Sequence, residues 1–89
     1  MLFPRPIDGI SVNITPPGLA WLPAENVSAY RVEIKKEDGG TVYSKMVGID
    51  PVHLPERAFD RGRYEWEWSA ENETGERLSF EITDSAVVL

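Results

Sequence analysis

The clearest pattern in the chain is the run Arg63-Tyr64-Glu65-Trp66-Glu67-Trp68-Ser69-Ala70-Glu71-Asn72. Aromatic or small apolar residues alternate in it with charged or polar ones, which is the period of a β-strand with one buried and one solvated face. If the aromatic rings faced outward, the glutamates would face inward, and burying unpaired carboxylates costs much free energy. The run therefore predicts a strand that places Tyr64, Trp66 and Trp68 in the core.

The segments on both sides of this run repeat the same alternation. Residues 72–75 have the composition of a turn, and the alternation resumes at 76–83, which predicts a hairpin. A second hairpin is predicted around the glycine-containing turn at 37–40. Upstream strands are predicted at residues 9–15, 18–22, 29–36, 41–46 and 52–54. About seven short strands and no amphipathic helix predict an all-β sandwich that forms a single domain over residues 1–89.

The composition limits what the chain can bind. Its 89 residues carry a formal net charge of -6 and include no cysteine. The negative charge argues against nucleic acid and anionic membranes as partners, because both are bound largely through Lys and Arg. No apolar run reaches the roughly 20 residues needed for membrane insertion. Without cysteine the chain has no disulfide and no thiolate metal site, which leaves the compartment open.

The order of the aromatic residues resembles that of fibronectin type III domains. Trp21 lies in an early predicted strand, Tyr30 begins the third, and Gly62-Arg63-Tyr64 begins the long one. The resemblance implies an antiparallel immunoglobulin-like β-sandwich of about seven strands, with Trp21 and Tyr30 in its core. It also implies a tyrosine corner, in which the Tyr64 hydroxyl bonds to backbone upstream.

A narrower resemblance concerns two segments. They are Pro16-Pro17-Gly18-Leu19-Ala20-Trp21-Leu22-Pro23 and Gly62-Arg63-Tyr64-Glu65-Trp66-Glu67-Trp68. Both look like the amino-terminal module that precedes the catalytic toroid in heparinase II/III-like polysaccharide lyases. The resemblance implies a non-catalytic accessory module of an exported bacterial enzyme, secreted or periplasmic. In such lyases the catalytic Tyr and His residues and any metal lie in later domains, so no catalytic, cofactor-binding or metal-binding residue is assigned here.

Five residues are candidates for contact with a neighbouring domain of the same polypeptide or with another partner. Phe3 lies in a proline-rich lead segment, and Tyr43 is out of phase with its strand. The apolar residues Val87, Val88 and Leu89 would continue into a following domain. We therefore expect the chain to be a fragment of a longer multidomain protein.

Other functions stay open at this point. A polysaccharide-binding module would use exposed aromatic rings, and an anionic polysaccharide would need a basic patch. The residues available for that patch are Arg31, Lys35, Lys36 and Lys45. An enzyme would need a cleft around His53, the only histidine, which is more simply a surface residue at a strand edge.

All three asparagines, Asn13, Asn26 and Asn72, stand in Asn-x-Ser/Thr triplets. These triplets would accept glycans in a eukaryotic secreted protein. The clustering of Asn, Ser and Thr in turns is the preferred explanation, given the bacterial resemblance.

Overall fold

The computed structural model describes residues 6, 8–23, 27–70, 73–75 and 77–88. In this part of the chain all regular structure is β, which confirms the all-β prediction. The strands are β1 (Ile10–Thr15), β2 (Leu19–Ala20), β3 (Tyr30–Lys36), β4 (Thr41–Val47), β5 (Val52–His53), β6 (Gly62–Ala70), β7 (Glu73–Thr74) and β8 (Leu78–Val88). Several boundaries differ from the prediction by one or two residues. The larger differences are that Glu73–Thr74 pairs with β6 instead of lying in a turn, and that β8 extends to Val88.

The strands form two sheets, in a sandwich-like arrangement. The larger has the order β1-β8-β6-β3-β4 with β7 also paired to β6, and the smaller consists of β2 and β5. Both predicted hairpins are confirmed, since β3 pairs with β4 and β6 with β8 in antiparallel fashion.

The prediction of a purely antiparallel sheet is wrong at one pair. β1 runs parallel to β8, with Ile10 opposite Phe80 and Ile14 opposite Val87. The two strands are separated by most of the chain, so no tight turn between them imposes the opposite direction. Alternation within a strand reports which face is buried and carries no information about the direction of a distant partner.

The core lies on the predicted face of β6. Tyr64, Trp66 and Trp68 form the aromatic row that was predicted to lie in the core. Trp66 is 1% exposed and Tyr64 is also buried, which confirms two of its members, whereas Trp68 is only partly buried. Trp21, 1% exposed, reaches the row from the end of β2, with its ring centroid 6.5 Å from that of Trp66. The other buried apolar residues are Leu19, Tyr30, Val32, Ile34, Phe59, Ala70, Leu78, Phe80 and Ile82.

Two side chains secure the connection that precedes β6. The Tyr64 hydroxyl donates to the Asp60 carbonyl at 2.6 Å, which confirms the predicted bond to upstream backbone. The buried Thr15 hydroxyl, at the end of β1, accepts from the Phe59 amide at 2.7 Å and donates to its carbonyl at 3.0 Å. A buried polar group must be paired, so these bonds fix where β1 ends relative to β6.

The small sheet leaves part of the large one uncovered. Directly opposite residues on neighbouring strands point to the same face, so Ile10 points to the same face as the buried Phe80. β2 and β5 are only two residues each. Ile10 is exposed although it points to the core-facing side. Ile14 lies beyond the register shift, opposite the exposed Val87 and next to the buried Thr15, so it points away from the core.

Candidate functional site

A groove beside β1 is lined by uncharged described residues. Its volume is about 410 Å³, and Ile10 and Ile14 of β1 are among the residues that line it. The turn after β1 contributes Pro16 and Pro17, and the residue after β5 contributes Leu54. The β1 edge of the large sheet therefore borders an apolar groove in a chain whose residues are 27% charged.

Further exposed apolar residues lie beside the groove, at the end of β8. Val87 lies opposite Ile14, and Val88 lies opposite Thr15. Ile14 is 43% exposed, Val87 60% and Val88 67%. We call the exposed residues Ile10, Ile14, Leu54, Val87 and Val88 the β1 apolar surface.

Sequence reasoning found only part of this surface. Val87 and Val88 were predicted contact residues, whereas Ile10, Ile14 and Leu54 were not. The alternation at 9–15 was correctly interpreted as a strand, but it did not predict that Ile10 and Ile14 would be exposed. The sequence does contain a feature that indicates an uncharged surface here, since no charged residue occurs between Asp8 and Glu25.

Of the three remaining predicted contact residues, the structure describes Tyr43. Phe3 and Leu89 lie outside the described residues. Tyr43 lies on β4, at the opposite edge of the large sheet from β1. It is partly buried, since its ring packs edge-on against Phe59 with centroids 5.8 Å apart.

Tyr43 belongs to a hydrogen-bonded cluster that joins the two sheets. Its hydroxyl oxygen lies 2.6 Å from His53 Nε2 and 2.8 Å from Glu56 Oε2. The phenol has one proton and an ionised carboxylate only accepts, so the phenol donates to Glu56 and His53 Nε2–H donates to the phenol oxygen. Lys45 also donates to Glu56. We call Tyr43, Lys45, His53 and Glu56 the β4–β5 clasp.

The electrostatics of the clasp disfavour ionisation of the Tyr43 phenol, which would have to be ionised to act as a base. Burial, together with the hydrogen bond to Glu56, raises the pKa of Tyr43 to about 12. Hydrogen bonds from Lys45 and then Tyr43 lower the pKa of Glu56 to about 2. Burial also lowers the pKa of His53. At neutral pH the phenol therefore keeps its proton and the Glu56 carboxylate stays charged, which is the state that holds the sheets together.

His53 is less exposed than the sequence suggested. Its side chain is partly buried against Tyr43, and the two rings stack with centroids 6.0 Å apart. Among the described residues, no group of three His, Asp or Glu side chains is arranged to hold a metal ion.

The other sequence-based alternatives find little geometric support. The aromatic row cannot stack on sugar rings as a platform, because Tyr64 and Trp66 are buried. The four basic residues do not form one patch, since Lys45 lies opposite Val32 on the inner face while Arg31 points outward. Asn13 is exposed but the hydroxyl of its triplet partner Thr15 is buried, and Asn26 and Asn72 lie outside the described residues.

Comparison with known proteins adds no relative to this picture. No protein-family model matches the chain, and no curated protein matches it significantly in sequence. The described residues also contain no helix with the length and apolar character needed to cross a bilayer. The function is therefore argued from the arrangement of the residues themselves.

Proposed function

We propose that the chain is a non-catalytic accessory module that docks through the β1 apolar surface onto a neighbouring domain of the same polypeptide. The observation that carries the proposal is the uncharged surface formed by the groove and the end of β8. Contiguous apolar patches on soluble proteins are characteristic of interaction sites. Burial of the β1 apolar surface releases water and leaves none of its own side chains as an unpaired charge.

The position of the surface suits a domain attached in sequence. Val87 and Val88 end β8. If another domain followed this module in a longer polypeptide, the connecting chain would start beside the groove. The short connection would hold the two apolar surfaces at a high effective concentration. An interface of modest area is then sufficient for stable docking.

The finer assignment is to the fibronectin type III kind of sandwich, in an exported polysaccharide lyase similar to heparinase II/III. The bond from Tyr64 to Asp60 and the buried pair Trp21 and Tyr30 support the fold assignment. The lyase assignment rests on the sequence resemblance of residues 16–23 and 62–68. In this proposal substrate cleavage belongs to another domain, and the β4–β5 clasp serves the fold.

The main rival is a free-standing or modular binding domain for a polysaccharide or a protein. A protein partner would use the same β1 apolar surface. A polysaccharide would need stacking aromatic rings, and every described aromatic side chain is buried or partly buried. The groove itself contains aliphatic side chains and proline rings, which favours a protein surface as its partner.

The test compares this chain alone with a longer product of the same gene that includes the following domain. We expect Ile14→Lys and Val88→Lys to lower the Tm of the longer protein while leaving the Tm of the isolated module nearly unchanged. Ser44→Lys, on the opposite edge strand, is the matched control and should change neither. Lyase activity toward acidic polysaccharides should be found in the longer protein and not in the module. Equal Tm values for all three variants in the longer protein would refute the docking proposal.

A further inference from the structure

The two edges of the large sheet differ in how they are protected. The edge strand β4 has its Val42 carbonyl occupied by the Arg57 guanidinium, and Lys45 and Glu56 lie alongside it. Such charged groups at a sheet edge prevent another strand from pairing there. β4 is therefore a closed edge.

The opposite edge, β1, lacks this protection. Among the described residues β1 pairs only with β8, so its other side carries backbone groups that no strand uses. Residues 10–15 contain no charged side chain and no proline. One irregularity interrupts the register with β8, between Val12 and Ile14. An unprotected edge that borders an uncharged groove combines the two features of a strand-addition site, free main-chain groups and pockets for alternate side chains.

We propose that β1 is a strand-addition site for an extended, uncharged segment of the docking partner. The segment pairs its backbone with the free edge of β1, and its alternate side chains contact the groove that Ile10, Ile14 and Leu54 help to line. The inference rests on the proposed function in that the segment belongs to the neighbouring domain.

The chemistry of the groove sets the composition of the segment. A charged side chain entering it would lose hydration and meet no counter-charge among the described lining residues. Aliphatic or hydroxyl-bearing residues at alternate positions fit both the groove and an extended backbone. Pro16 and Pro17 directly follow β1 and donate no backbone hydrogen bond, which limits pairing to residues 10–15.

The experiment uses this chain, labelled with ¹⁵N, and a capped peptide of alternating Val and Thr that is as long as β1. We expect added peptide to shift the amide resonances of residues 10–15 and of Leu54, and to leave those of β4 unchanged. The same peptide with Val replaced by Glu should not bind. Ile14→Lys should abolish the shifts, whereas the control Ser44→Lys should bind the peptide like the unmodified chain.

Two N-methylated peptides separate strand addition from side-chain docking. One is methylated at the odd positions and the other at the even positions, so that each loses alternate N–H donors and keeps its side chains. Only one set of donors points toward β1 in a paired strand. One peptide should therefore bind at least about tenfold more weakly than the parent, because several hydrogen bonds are lost together.

Four results would overturn the inference. Equal binding of the two methylated peptides would indicate side-chain docking alone, and would leave the proposed function standing. Shifted amide resonances at β4 would show that the peptide binds the other edge of the sheet. No shift at β1 with excess peptide would show that β1 does not accept an added strand. Self-association of the chain through β1 without peptide would assign the edge to a second copy.

Discussion

At the scale of single residues, the Thr15 hydroxyl fixes the end of β1 to the Phe59 backbone. Replacing it in Thr15→Val keeps the shape of the side chain and leaves the buried amide and carbonyl of Phe59 unpaired. We expect a loss of about 1–3 kcal/mol in the free energy of unfolding. Urea denaturation measures it, and Thr15→Ser, which keeps the hydroxyl, should lose less. A Val variant as stable as the parent would show that these bonds contribute nothing.

Gly75 is a second single-residue constraint. Its amide donates to the Trp68 carbonyl at 2.7 Å, and a Cβ added to Gly75 would overlap the Trp68 indole. We expect Gly75→Ala to destabilise the fold by roughly 1–3 kcal/mol, since the backbone or the indole must move. The matched control is Gly40→Ala, where an added Cβ meets no atom within 4 Å. Thermal unfolding followed by tryptophan fluorescence compares them, and equal losses would contradict the contact.

At the scale of elements, the β4–β5 clasp makes stability depend on pH. The pKa of His53 is lowered in the folded state by burial, so the unfolded chain binds the proton more tightly. The contribution of His53 is therefore fully present above pH 6.5, and it is lost as the pH falls toward the lowered value. We expect the free energy of unfolding to decrease over that range, and His53→Gln to remove this part of the dependence. Identical pH profiles for the two proteins would contradict the assignment.

The same clasp has a second transition at lower pH. Lys45 and Tyr43 hold the pKa of Glu56 near 2, below the ordinary value of 4.5. Because the folded value is the lower one, the stabilisation is present above pH 4.5 and is lost as the pH falls from 4.5 toward 2. Glu56→Gln should flatten the acid limb of a plot of unfolding free energy against pH. An unchanged acid limb in Glu56→Gln would argue against the bonds to Lys45 and Tyr43.

The elements that the sequence predicts well are those whose partners are close along the chain. The alternation in β6 and β8 and the short turn between β3 and β4 specify their own pairing and their buried faces. The parallel pairing of β1 with β8 is set by contacts between distant parts of the chain, and no local pattern reports it. The clasp was missed for the same reason, since Tyr43 and His53 lie on strands of different sheets and only the fold brings them together.

At the scale of the whole molecule, the tryptophans pack in or against the hydrophobic core of the sandwich. Trp21 and Trp66 are buried and Trp68 is partly covered. We expect oligosaccharides, neutral or acidic, to leave the tryptophan emission of the chain unchanged. A shift in emission that saturates with oligosaccharide would contradict this expectation and favour the polysaccharide-binding alternative.

The parallel pair of β1 and β8 also decides how the molecule would respond to tension. In a parallel pair, the start of β1 and the end of β8 lie at opposite ends of the ladder. A pull applied at residues 10 and 88 therefore slides the two strands past each other and strains all the hydrogen bonds between them at once. Strands joined by a tight turn would instead open one bond at a time. Forced unfolding depends on the unfolding rate and not on the equilibrium stability. If the module is held between two anchored domains, we therefore expect it to unfold slowly under tension.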